Sequence, residues 1–277
     1  MVFDARVNSV RRGAATLALL AGVMTGCDRP ETPSEPPPPA TAPTPSPAPT
    51  LDRAALLAAM ASVASDTAAG IARDQADPLI GRTFSLRMAF GCFGAQPEPA
   101  NQSTNGDGTP RWATTADGRS IRLTLYPADW SEGDISGPPP TGFETLSGIW
   151  INQPWMRSES CPAWSIAAPD VSADVAPARE AGLIMVRPTG GSRIGRAGER
   201  GFTHTVRGEG DEPATPPTQG YRLVLEGRLT GWADGRVVRC RIVTPDRPPG
   251  CVIGAVVDRV AFEDGAGGTV LSEWRPG

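Results

Sequence analysis

Over residues 82–92, Phe84, Leu86, Met88, Phe90 and Cys92 alternate with Thr83, Ser85, Arg87 and Ala89, so the apolar set falls at every second position. A period of two marks an extended chain with one face buried, because successive side chains of a strand point to opposite sides. The pattern recurs at Ile121, Leu123 and Leu125, at Tyr221, Leu223 and Leu225, and at Val238, Cys240 and Ile242. Further strands read over 145–152, 182–187, 201–207, 251–262 and 269–274. A chain with about eight or nine such strands must bury their apolar faces against one another. That predicts a mainly β protein, an antiparallel β-sandwich or a partly closed barrel.

The helical period is expected only over 51–71, where Leu56, Met60 and Val63 recur at three- and four-residue spacing beside Leu57, Ala64 and Ile71. Thr50 is placed to cap this helix, Asp52 falls in its first turn, and Gly70 marks its end. Arg53 and Arg73 are its only basic residues, so the stripe is expected to face the core and not a membrane surface. One globular domain over 51–277 follows, since no second linker interrupts it. Four long loops rich in Gly, Pro, Asn and Asp, at 94–111, 127–142, 188–200 and 208–219, are expected to be either functional or disordered. Within the first of them, 101–108 (NQSTNGDG) lacks the alternating acids of a calcium loop and reads as turns.

Ahead of this domain, residues 28–50 hold ten prolines in 23 positions and no aromatic ring, which cannot make a core. Such a stretch favours polyproline II and, at about 3.1 Å per residue, reaches roughly 70 Å. It reads as a tether more readily than as a docking peptide. Residues 1–12 carry three arginines against one aspartate, and 13–26 are uncharged, small and apolar, as in the n- and h-regions of an export signal. The apolar run is shorter than the roughly 20 residues a bilayer-spanning helix needs.

Met24-Thr25-Gly26-Cys27 closes that leader, and it resembles the lipobox of bacterial lipoproteins: a small residue precedes the cysteine, and Met24 stands where the family more often has leucine. The resemblance covers the leader alone. It implies cleavage before Cys27, a diacylglycerol on its thiol and a further acyl chain on its freed amine. Several chains, at about 0.8 kcal/mol per buried methylene, anchor stably where one binds reversibly. Arg11-Arg12 lacks the bulky apolar residues of a twin-arginine signal, so the general secretory route is expected. Asp28 resembles the inner-membrane retention signal of enteric bacteria. That rule does not hold in all bacteria, so the inner membrane is favoured and the outer stays open.

Removing 1–26 takes three of 26 basic residues and one of 30 acidic ones, leaving 23 against 29. A net charge of about −6 argues against nucleic acid, whose binding depends on neutralising phosphates. The absence of lysine, with abundant Ala, Gly and Pro, reads as codon bias.

Cys92, Cys161, Cys240 and Cys251 remain, and an even number in an exported chain reads as disulfides with three connectivities. Cys240 and Cys251 share the inward phase of adjacent strands around a turn at 244–250, which pairs them and leaves Cys92 with Cys161. The chain-entropy relation gives about 3 and about 4 kcal/mol for the two bridges. There is no C-x-x-C for zinc or redox work, and no metal or cofactor is expected.

Candidate chemistry is sparse. His204 is the only histidine; no G-x-S-x-G elbow accompanies it, and a structural role is the commoner one. Asp129, Glu132 and Asp134 flank Trp130 and could supply paired carboxylates for glycoside chemistry, with a solvated acidic loop as the competing reading. The spacing of Gly190 and Gly195 is that of a phosphate loop, but Arg196 and Ala197 replace the required lysine and hydroxyl, which excludes a nucleotide site. Arg193, Arg196 and Arg200 could bind an anionic head group, against the alternative of a flexible solvated loop. The aromatic stretch 150–164 places Trp150 in the core and leaves Trp155 and Trp164 as candidates for glycan or peptide contact. Together these features predict a non-enzymatic lipoprotein of the cell envelope, facing the periplasm, that binds or scaffolds a glycan, lipid head group or protein. The alternative is an envelope hydrolase acting on glycan or ester bonds through His204 or the acidic loop.

Overall fold

The computed structural model describes residues 48–73, 75–96, 106–131, 135–163, 180–191 and 201–276. The leader, Cys27, most of the tether, Glu132, Asp134, Trp164, Arg193, Arg196 and Arg200 lie outside the described residues. The elements in chain order are α1 (Arg53–Ala68), β1 (Thr83–Phe90), β2 (Arg111–Thr114), β3 (Ser120–Leu125), β4 (Ala128–Asp129), β5 (Phe143–Trp150), β6 (Ala181–Pro188), β7 (Phe202–Arg207), β8 (Tyr221–Leu229), β9 (Val238–Arg241), β10 (Gly250–Asp264) and β11 (Val270–Trp274).

Eight strands make one sheet in the order β1-β8-β10-β6-β5-β4, with β9 and β11 also paired to β10; β2-β3-β7 make a second sheet. The larger sheet is mixed, the smaller is antiparallel, and neither closes into a barrel. All pairs are antiparallel except β6 with β10, which run parallel from Cys251↔Ala181 to Ala255↔Met185. The parallel pair departs from the antiparallel sandwich or barrel expected, and the eleven strands among the described residues exceed the eight or nine read from periodicity. The two unforeseen strands, β2 and β4, are four and two residues long, too short to show a period.

β10 organises the larger sheet. Its first half pairs with both β9 and β6, and its second half with both β8 and β11, so it is central along its length. A strand covered in this way needs apolar residues at nearly every position, and 251–257 (CVIGAVV) supplies them. Phe84, Leu86, Met88 and Phe90 of β1 are buried as their alternation requires. The smaller sheet sends Trp112, Ile121, Leu123 and Leu125 into that same core cluster. Trp274 joins the sheets, with ring centroids 5.2 Å from Phe202 and 5.4 Å from Phe262.

The helix packs on β1, β9 and β10 through Leu56, Leu57 and Met60. It is capped by Asp52, whose carboxylate accepts from the Ala55 N–H at 2.8 Å, and not by Thr50 as expected. The reason is upstream: Leu51 donates to the Thr83 carbonyl and accepts from the Ser85 N–H, so the chain is still extended there and the helix starts two residues later than read. Gly70, at φ +67°, does close the helix, in the left-handed conformation that suits glycine. Ile71, read as part of the apolar stripe, is 59% exposed, and Ile242 lies beyond the end of β9 and is exposed.

Both disulfides form as paired from the sequence. Cys240 faces Cys251 in the β9–β10 register, and Cys92, just beyond β1, joins Cys161. The segment from Pro47 to Gly277 is one compact unit, and among its described residues no helix is long and apolar enough to cross a membrane.

Candidate functional site

The segment 151–163, which leaves the end of β5, is held at several points. Arg53, the first residue of α1, is only 3% exposed and reaches into the turn after β5. Its Nη2 donates to the carbonyls of Asn152 (2.6 Å) and Gln153 (3.0 Å), and its Nε to that of Met156 (3.0 Å). Burial pushes the guanidinium pKa down, and Glu159 opposes the shift. A cation at a helix N-terminus opposes the helix dipole, which adds to the cost that the three carbonyls must offset.

Gln153 has φ 49°, a left-handed conformation that costs a non-glycine residue of order 1–3 kcal/mol. In that conformation its carbonyl accepts from both Arg53 and the Met156 N–H at 2.8 Å. Further along, the Arg222 Nε donates to the Glu159 carbonyl, the Arg87 guanidinium lies 4.0 Å from the Glu159 carboxylate, and the Cys92–Cys161 bridge ties the segment to the end of β1. Trp155 stands on this clamped turn and is 65% exposed. Phe93, next to Cys92, is a second exposed ring on the chain that the bridge secures. An aromatic on a rigid turn presents a large contact area with little ordering left to lose, as binding anchors require.

The other candidates fall elsewhere. His204 lies in β7 opposite Leu123, half-buried, and makes no hydrogen bond or ion pair with any described residue. Burial pushes its pKa below the ordinary imidazole value. Asp129 sits in the edge strand β4 and accepts from the Ser131 hydroxyl (2.7 Å) and N–H (2.9 Å). Those two bonds hold its carboxyl below the ordinary range, which suits an ionised acceptor and not a general acid. Trp130 beside it packs at 4.5 Å from Trp150, over the backbone of Gly148 and Gly182. Trp150 is thereby half-buried and outside the fully buried core where it was placed. Among the described residues no three His, Cys, Asp or Glu side chains are grouped to hold a metal.

Sequence reading missed two features. Arg53 enters the sequence reading only as one of two basic residues that argue against a membrane surface, and its burial over the turn after β5 is not foreseen. A groove of about 450 Å³ between the end of α1 and β9 was also unforeseen, because its arginines are scattered in sequence from Arg73 to Arg241. Comparison of this chain with family models, curated proteins and solved structures finds no match.

Proposed function

We propose that this protein is an exported lipoprotein of the cell envelope, cut before Cys27, anchored there by lipid and carried on a proline-rich spacer. Its domain, which we read as a two-sheet sandwich scaffold, serves as a non-enzymatic binding module facing the periplasm. The observation that carries the binding reading is the exposed Trp155 on a turn fixed by Arg53, Arg222 and the Cys92–Cys161 bridge. Energy spent on holding an aromatic rigid and out of the core is understandable where that ring makes contact with a partner. Two disulfides also suit an oxidising compartment outside the cytoplasm.

The partner class that fits is an envelope glycan, with the indole face against a sugar ring. The test is titration of residues 28–277 with peptidoglycan fragments, comparing the native chain with Trp155→Ala. We expect measurable binding that falls about tenfold or more in the variant, as for a hot-spot tryptophan. No binding of glycan fragments, or equal binding by both chains, would overturn this role for Trp155.

A further inference from the structure

The groove between the C-terminal end of α1 and strand β9 is lined by four arginines, Arg73, Arg236, Arg239 and Arg241, and by two aspartates, Asp66 and Asp234. It therefore carries an excess of two positive charges, in a chain whose net charge is −4. Such a concentration of one sign inside a concavity focuses field on an oppositely charged ligand.

The arginines are not equivalent. Arg73 is paired with Asp66 and also donates to the Ser62 hydroxyl at 2.8 Å. Arg239 is engaged three ways: it donates to the Asp234 carboxylate (3.1 Å) and the Ser136 carbonyl (2.7 Å), and its guanidinium carbon lies 4.8 Å from the Trp232 ring centroid. Arg236 is half-buried, yet its guanidinium has no hydrogen bond or ion pair with any described residue. Its backbone is nonetheless fixed, because its N–H donates to the Asp234 carboxylate (3.1 Å) and its carbonyl accepts from the Trp232 N–H (2.8 Å). A partly desolvated guanidinium on a fixed backbone, with its donors unused, suits a planar carboxylate or a phosphate, which it can engage with two parallel bonds.

Apart from Thr67, whose hydroxyl is spent on the Val63 carbonyl, and the disulfide-bonded Cys240, the rest of the wall is apolar. Val63, Ile71 and Ile135 line the groove. Ile71 is exposed there, and Ile242 and Val243, directly after Arg241, leave more apolar surface uncovered just beyond the end of β9. Arginines beside uncovered aliphatic side chains call for a ligand that has both an oxyanion and a hydrocarbon part.

We propose that this groove is a binding site for a phosphate-bearing amphiphile, with the phosphate on Arg236 and the hydrocarbon part along Ile71 and Ile135. The site is separate from the Trp155 turn, and it depends neither on that turn's role nor on the lipid anchor.

Isothermal titration of residues 28–277 tests it with three probes: inorganic phosphate, a short-chain phosphatidic acid below its micelle concentration, and the phosphatidylcholine of the same chain length. Phosphatidic acid is expected to bind more tightly than either of the others. Arg236→Ala should weaken it by about tenfold or more, the loss of charge-assisted bonds, while Arg236→Lys should keep part of the affinity. Arg228→Ala, on the exposed face of β8, should leave binding unchanged. Phosphatidylcholine binding as tightly as phosphatidic acid, undiminished affinity in Arg236→Ala, or no binding of phosphatidic acid would each overturn the proposal. If inorganic phosphate binds as tightly as phosphatidic acid, the hydrocarbon half is wrong and the ligand is a soluble phosphate.

Discussion

Replacing Arg53 by alanine removes a buried cation from three carbonyls and tests whether the turn bearing Trp155 is held from the helix. Hydrogen bonds to charged groups contribute about 1.5–3 kcal/mol each, and Arg53 makes three. Two effects oppose their loss. The variant no longer buries a guanidinium, and it relieves a cation at a helix N-terminus that costs about 0.3–1 kcal/mol. Water can also reach some of the freed carbonyls once the side chain is gone. The balance is a destabilisation of about 2–4 kcal/mol, in the range for breaking a buried polar network. At about 2–4 °C per kcal/mol for a domain of this size, the melting temperature should fall by about 4–16 °C. Thermal unfolding of residues 28–277 measures this, and hydrogen exchange locates it: the amides of 152–156 should lose protection in the folded variant. A change below about 1 °C with unaltered exchange would refute the clamp.

Three other perturbations follow from the packing. Tyr221 buries its hydroxyl without a hydrogen-bond partner among the described residues, and burial first, then Asp264, raises its pKa to about 12. A raised pKa means stability that is complete below the unfolded value near 10 and lost as pH rises through the folded one, so alkaline unfolding between about pH 10 and 12 should be weaker in Tyr221→Phe. The same variant should be at least as stable as the native chain at pH 7, since an unsatisfied group is removed; a clear loss there would show that the hydroxyl is partnered. Added Cβ atoms at Gly148 and Gly182 would lie 2.3 and 2.5 Å from the Trp130 ring, so either alanine variant should lose about 1–3 kcal/mol in urea unfolding. Of the two bridges, Cys92–Cys161 spans 69 residues and Cys240–Cys251 spans 11, so replacing the first pair by serine should cost about 4 kcal/mol and the second about 3. The reverse order would refute the loop-entropy argument.

Much of the strand content is legible in the sequence because a half-buried strand writes its period into the chain. β1, β3 and β8 show this, with Phe84, Ile121 and Tyr221 each starting a run that turns inward at alternate positions. The pairing of Cys240 with Cys251 is legible for a related reason: a hairpin sets its own register. The parallel contact of β6 and β10 is not, because it joins segments about seventy residues apart and leaves no turn signal.

The candidate site is legible only in part. Trp155 stands out as an aromatic in a polar stretch, but nothing nearby tells that Arg53, about a hundred residues earlier, holds its turn. Arginine is usually exposed, so its burial here follows from three carbonyls that only the folded chain brings together. The groove at Arg236 is hidden in the same way, since α1 and β9 meet only through tertiary packing.

Where this domain works is decided at Cys27. The most direct measurement is the intact mass of the protein extracted from membranes of a bacterial host, with fragmentation of its N-terminus. The expected chain begins at Cys27 and carries a diacylglycerol and a further acyl chain on that residue. A chain that begins elsewhere, or one with an unmodified Cys27, would contradict lipid anchoring there.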